Sequence, residues 1–306
     1  MTIGVILDAD GPNAVDDLVA QGRAAKDYGL GSAWFAQRYD VDAIGVAGLV
    51  GREVPGLRVG TSAVPIFARH PILVASQAAT AQAATHGRFS LGVGLGAKGL
   101  VESTFGIGYD RPIAQLREFL TATREVLRTG STEVRGETLT AVTPWPSPVA
   151  GAQPAPQILV AAMGPQALRA TGELADGTLP FLAGPRALSE HIVPAITAAS
   201  SSAPRVVALV PTIITDEVDE ARARLAENLA FYDGIPSYQK VIERSGVERA
   251  ADLALVGDEV SVAAAIRRYF DAGATEVVLS QTALGGEAAR ERTWRFGGEL
   301  ARSISS

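Results

Sequence analysis

The feature that most constrains this chain is an alternation. Short β-branched and aliphatic runs are separated by longer stretches with helical spacing. That order calls for parallel strands, because a parallel neighbour is reached only through a long, usually helical crossover. Eight such runs occur, at 3–7, 32–35, 58–64, 89–95, 157–161, 177–181, 206–214 and 276–280. Eight parallel strands close into a barrel, whereas the four before residue 100 would leave two open edges. The expected fold is α/β, a (β/α)8 TIM barrel with inserted loop and helical segments. The whole chain, 1–306, is expected to be one domain.

Local punctuation supports the crossovers. Val15, Leu18, Val19, Gly22 and Ala25 share one helical face, and Gly29 supplies a stop. A longer helix is expected after Asp110, carrying Ile113, Leu116, Leu120, Thr123 and Leu127, and Asp258 is placed to cap another that ends at Gly273. The stretch from His70 to Ala84 is small or apolar nearly all round, which suits a helix pressed against neighbours or a second subunit, so a homodimer is expected. Residues 132–142 alternate like a hairpin, 144–156 read as a proline-rich loop, and 231–255 read as an inserted helical excursion.

Composition excludes several function classes. A net charge of −6 argues against a basic surface for nucleic acid or anionic lipid, leaving small molecules as the expected partners. With no cysteine there is no disulfide framework, no thiolate nucleophile and no Cys-ligated zinc. His70, His86 and His191 lack metal-ligand spacing, so no metal is expected. The first ten residues lack a basic region, and no run approaches the roughly 18 apolar residues of a bilayer span. Neither a signal peptide nor a membrane anchor is expected, which fits a cytoplasmic enzyme.

In such barrels the chemistry sits at strand C-termini and in the loops beyond them. The segment Gly94-Leu95-Gly96-Ala97-Lys98-Gly99 is a literal G-x-G-x-x-G, but it follows the fourth strand and the next helix is expected only near Asp110. That context disfavours a dinucleotide fingerprint. Its glycines suit close approach to a ring or phosphate, or simply a tight barrel corner. In Ala161-Ala162-Met163-Gly164-Pro165-Gln166 a strand ends and a helix opens with proline in its first turn, which leaves N–H groups free for an anion; an ordinary capped helix is an equal alternative. Thr61-Ser62-Ala63 ends the third strand with small residues that would admit a planar cofactor, although small residues in a barrel strand more often only pack. Asp8, Asp10, Gln37, Arg38, Tyr39, Arg69 and His70 are the remaining polar groups at strand ends. A lone histidine before proline is more often a cap than a catalyst.

Two series of residues carry a resemblance. Arg69-His70-Pro71 through Gln77, then Gly87-Arg88-Phe89-Ser90-Leu91-Gly92-Val93-Gly94, resembles the central signature of the luciferase-like flavin- and F420-dependent oxidoreductases. So does Val160-Ala161-Ala162-Met163-Gly164-Pro165 with Gly172-Glu173-Leu174-Ala175-Asp176-Gly177, followed by Gly257-Asp258-Glu259 and Asp271-Ala272-Gly273-Ala274. The similarity runs in order along almost the whole chain, and it is greatest to the actinobacterial F420-dependent group.

The resemblance implies coenzyme F420, with FMN as the alternative, at the barrel mouth against a bulge in the third strand and a non-prolyl cis peptide at Ser62-Ala63. It implies cofactor contacts from Thr61, Ser62 and Ala63, from Gly94, Gly96, Ala97 and Lys98, and from Ala162, Met163, Gly164, Pro165 and Gln166. Thr178 and Leu179 would complete the wall. The sugar-phosphate dehydrogenases of this family carry an Asp-His pair where Gln37 and Arg38 stand here, which argues for reduction rather than sugar-phosphate oxidation. The expected reaction is hydride transfer from the deazaflavin C5 to a small organic substrate. Arg38 is expected to stabilise developing charge, Asp8 or Tyr39 to deliver a proton, and Gln37, Arg69 and His70 to hold substrate. An FMN-dependent monooxygenase and a deazaflavin-binding protein without turnover are the alternatives.

Overall fold

The computed structural model describes residues 1–305. Its centre is a ring of parallel strands: β1 (Thr2–Ile6), β2 (Ser32–Phe35), β3 (Arg58–Thr61), β4 (Phe89–Gly94), β5 (Gln157–Ala161), β6 (Gly177–Thr178), β7 (Arg205–Ile214) and β8 (Glu276–Ser280). β1 pairs with both β2 and β8, and β6 with both β5 and β7, so the sheet closes in chain order. Closure removes both edges, as the strand count required. No helix among the described residues is long and apolar enough to cross a membrane.

The barrel interior is filled rather than open. Trp34, Leu159, Leu179, Val207, Leu209 and Val278 form one buried cluster, with Ile6, Ala63 and Phe181 partly buried against it. Fully burying a side chain of this kind contributes roughly 1.5–3 kcal/mol, so the plug adds to what the larger core between strands and helices supplies. At the N-terminal end, the buried Glu276 accepts hydrogen bonds from Ser32, from the Trp34 indole (2.9 Å) and from Arg205 (3.0 Å). Arg205 also donates to Ser90 and Gln157, so a charge that would be costly alone is paired and shared among five strands.

Helices α1 (Ala14–Tyr28), α2 (Ala43–Glu53) and α3 (Pro71–Ala84) cover the first strands. Asn13 caps α1 through the Val15 and Asp16 N–H groups, and Gly29 ends it at φ 94°. A Cβ on Gly22 would stand 2.6 Å from Val50, so α1 and α2 pack closer than an alanine would allow. The small residues of α3 have the same use, with Ala75, Ala78 and Ala81 buried while Leu73 stays exposed.

Several boundaries differ from expectation. The G-x-G-x-x-G run is followed at once by a helix, α4 (Lys98–Phe105), before α5 (Pro112–Thr129). Only Val101 of α4 is buried, so it lacks the apolar face by which periodicity would reveal it. β3 stops at Thr61 and resumes as Val64–Pro65 beside β4. β6 is two residues long, after which Phe181 makes an isolated bridge to Leu209. The hairpin is Glu133–Arg135 with Thr140–Val142. After β5 comes α6 (Pro165–Leu174). After β7 come α7 (Val218–Asp233), which the sequence reading missed, then α8 (Pro236–Ser245) and a strand, Leu255–Gly257, paired with the end of β7. Asp258 caps α9 (Glu259–Asp271), and α10 (Glu287–Ser305) closes the circle.

Candidate functional site

The mouth is organised by a break in β3. Pairing with β4 passes from Gly60↔Ser90 to Val64↔Val93, so Thr61, Ser62 and Ala63 lie opposite only Leu91 and Gly92. One extra residue on one strand is a bulge. The Thr61 hydroxyl donates to the Gly92 carbonyl (2.8 Å) and accepts from its N–H (2.9 Å), replacing ladder bonds that the bulge removes. Gly92 is required there, because a Cβ would lie 1.8 Å from the Thr61 carbonyl oxygen. The Ser62-Ala63 peptide is cis, at the position the resemblance implied.

Around the bulge the floor is made of small groups. A Cβ on Gly94 would meet the Ala161 and Ala63 methyls at 3.3 and 3.6 Å, so these three residues are contiguous. Ala161 ends β5 exposed, Ala63 is half-buried, and a Cβ on Gly164 would meet nothing within 4 Å. The Ser62 Oγ is buried without a hydrogen-bond partner among the described residues, and an orphaned buried hydroxyl is costly unless something else satisfies it. On adjacent strands, α4 and α6 both begin without a side-chain cap, at Ala97 and Gly164. Their first N–H groups, including those of Lys98, Gln166 and Ala167, face the mouth end of the barrel, where helix dipoles favour an anion. A flat ring carrying a phosphate or phosphodiester fits this donor set. Met163 is half-buried beside Ala162, while Gly96 is exposed at φ 70°. Thr178 and Leu179 lie deeper: the Thr178 hydroxyl bonds the Val160 and Ala162 carbonyls, and Leu179 belongs to the interior plug.

The polar candidates divide into two groups. Gln37 accepts from Arg69 (3.0 Å) and from the Ala43 N–H and donates to the Arg38 and Val41 carbonyls, so it builds its own loop. Arg69 also pairs with Asp42 at 3.5 Å. His70 caps α3, its Nδ1 accepting from the Ile72 N–H while Nε2 donates to the Thr140 carbonyl. These three side chains are tied to scaffold. Arg38 and Asp8, by contrast, are brought together at 2.5 Å from different strands. Burial pushes the Asp8 carboxyl above the usual range, opposed by Arg38 and reinforced by Asp10 and Asp40. Tyr39 is 73% exposed and leans on Phe105 and Thr104 of α4.

Three residues at the mouth were not anticipated. Phe181, Tyr232 and Tyr238 pack together where β6 meets the inserted helices. Only 6% of the chain is aromatic, so Phe231, Tyr232 and Tyr238 within eight residues were a signal of a wall rather than of surface. The aromatic character was visible, but nothing in the spacing tied it to Phe181.

The model of the family described as luciferase-like monooxygenase matches residues 1–287. The chain belongs to that family. As a luciferase-like protein it is an oxidoreductase. It is 27% identical, over 83% of this chain and 77% of the other, to a Mycobacterium tuberculosis protein whose name assigns it provisionally as a coenzyme F420-dependent oxidoreductase. Its fold matches the coenzyme F420-dependent tetrahydromethanopterin reductase of Methanopyrus kandleri with a TM-score of 0.81 at 21% identity, covering 100% and 99% of the two chains. It also matches the FMN-bound oxygenating constituent of 3,6-diketocamphane monooxygenase from Pseudomonas putida, with a TM-score of 0.76 at 16% identity over 98% of each chain. The luciferase-like barrel is thus shared by F420 and FMN proteins.

Proposed function

We propose that the chain is a coenzyme F420-dependent reductase of small organic molecules. The observation that carries this reading is the orphaned Ser62 hydroxyl on a cis-peptide bulge, beside a small-residue floor and between two uncapped helix N-termini. Ser62, Ala63, Gly94, Ala162, Met163 and Gly164 would hold the ring. The N–H groups opening α4 and α6, with Lys98, Pro165 and Gln166 around them, would hold the phosphodiester. The choice of F420 over FMN is supported by the mycobacterial relative rather than by the geometry.

When bound, the reduced deazaflavin supplies a hydride at C5. The protein's own part is positioning and proton control. Burial raises the Asp8 pKa, which suits this carboxyl to give a proton to the substrate's developing oxyanion, and Arg38 holds Asp8 in place and lends positive charge beside it. The interior plug beneath the floor keeps water out from below. Exposed Leu49 and Leu73 on α2 and α3 support a homodimer formed on that face.

The FMN-monooxygenase reading is favoured by the FMN-bound structural neighbour. Separate fluorescence titrations with F420 and FMN test the two. The proposal expects tight binding of F420 and weak binding of FMN, and the reverse order would overturn it.

A further inference from the structure

Phe181, Tyr232 and Tyr238 meet as a corner. Their centroids lie 5.2 Å (Phe181–Tyr232), 6.2 Å (Phe181–Tyr238) and 4.8 Å (Tyr232–Tyr238) apart, at interplanar angles of 76°, 81° and 68°. Three nearly perpendicular rings offer both faces and edges, the geometry in which a further aromatic ring is bound best. Phe181 packs with Ile6 and Ala63 against the interior plug and also joins the cluster of the inserted helices, so the corner borders the small-residue floor. Leu182, fully buried, holds φ 54°, a left-handed conformation that a branched side chain adopts only when its surroundings impose it, and it sets the turn that carries Phe181. All three residues are half-buried, and the Tyr232 and Tyr238 hydroxyls have no hydrogen-bond partner among the described residues. Phe181 shares its cluster with Ile6, two residues before Asp8, so the corner and the Asp8–Arg38 pair lie at the same end of the barrel.

Resting on the F420-reductase reading, we propose that this corner is the acceptor subsite and that it takes an uncharged ketone bearing an aromatic ring. The ring sits against Phe181, Tyr232 and Tyr238, with the carbonyl toward Asp8 and Arg38. The Arg38 guanidinium is engaged by Asp8 Oδ1, and Asp10 and Asp40 stand near Asp8, so a carboxylate on the guest meets acidic neighbours at this end of the subsite. Reduction places a hydride on the carbonyl carbon and a proton on its oxygen, giving a secondary alcohol. The reduced cofactor gives the hydride and is oxidised by two electrons, and Asp8 gives the proton and regains one from water.

The test is calorimetric binding of acetophenone, 4-acetylbenzoate and 2-butanone to the purified protein, with and without saturating oxidised F420. Acetophenone should bind roughly tenfold tighter than either comparison ligand, since the others add a charge or remove the ring. Phe181→Leu and Tyr232→Leu should each weaken acetophenone by roughly five- to tenfold while leaving F420 affinity unchanged, which also shows that the variants are folded. Equal binding of the three ketones, or acetophenone binding unaffected by both substitutions, would overturn the subsite. If the wild-type protein fails to bind F420 yet keeps the ring-dependent preference, the cofactor reading falls and the aromatic corner stands.

Discussion

The Arg38 guanidinium donates to Asp8 Oδ1 at 2.5 Å, joining the loop after β2 to the loop after its neighbour β1. Asp8 is additionally held through its main chain, whose carbonyl accepts from the Gln21 amide at 2.8 Å. The pair therefore has a fixed position, and its carboxyl is a half-buried acid at the mouth of the barrel.

A pH profile follows from that position. Burial raises the Asp8 pKa and Arg38 opposes the rise. A reductase that draws its proton from Asp8 slows as pH climbs through that raised value. Arg38→Gln removes the opposing charge and should move the falling limb to higher pH. Asp8→Asn should abolish that limb and lower kcat by about 100-fold or more. Steady-state kcat against pH reads both effects, and an unchanged limb in Asp8→Asn would exclude Asp8 as the acid.

Two glycines separate binding from folding. A Cβ on Gly164 meets open space, so Gly164→Ala should leave Tm nearly unchanged while weakening cofactor binding by about tenfold, as a methyl enters the ring's place. Gly92→Ala forces a methyl onto the Thr61 carbonyl and should cost about 3 kcal/mol in denaturant unfolding. Equal effects on stability would contradict this division.

How much of this was legible in the sequence depended on how local the cause was. The eight strands were legible because buried parallel strands read as continuous apolar runs. The Gly29 stop and the Asp258 cap were legible because each acts within one turn. The break in β3 at Thr61 was legible through the resemblance but not through periodicity, since the bulge depends on Gly92, thirty-one residues away. α4 was hidden by its exposure, with Val101 alone buried. Gln37, Arg69 and His70 have side chains that could bind substrate, but their contacts with Ala43, Asp42 and Thr140 are set by loop paths that no periodicity defines. The aromatic corner joins Phe181 to residues about fifty positions later, a relation that only the closed barrel creates.

The Glu276–Arg205 network at the N-terminal end of the barrel should be structural only. Glu276→Leu leaves Arg205 facing Trp34, Ser90 and Gln157 without its carboxylate and should destabilise by about 3–5 kcal/mol. Urea unfolding measures the loss, and F420 affinity under native conditions should stay at the wild-type value.

The hairpin before β5 carries its own pH dependence. Glu118 accepts from the Glu137, Thr138 and Leu139 N–H groups and from the Thr138 hydroxyl. Although desolvation pushes the other way, these bonds together hold its carboxyl below the ordinary value of 4.5. A depressed carboxylate stabilises the fold above its unfolded pKa and ceases to do so as pH falls through the lower folded value. Glu118→Gln should cost about 1 kcal/mol at pH 7, a modest figure because solvent reaches the group. Urea midpoints at pH 7 and pH 3 should differ less in this variant than in the wild type.

The most direct test of the central claim is diffraction from crystals grown with coenzyme F420. The account predicts the deazaflavin ring lying across the Ser62-Ala63 peptide, the Ser62 hydroxyl within hydrogen-bonding distance of it, and the phosphodiester at the start of α6 beside Gly164. A ring bound elsewhere, or a mouth that stays free of F420 at saturating concentration, would contradict it.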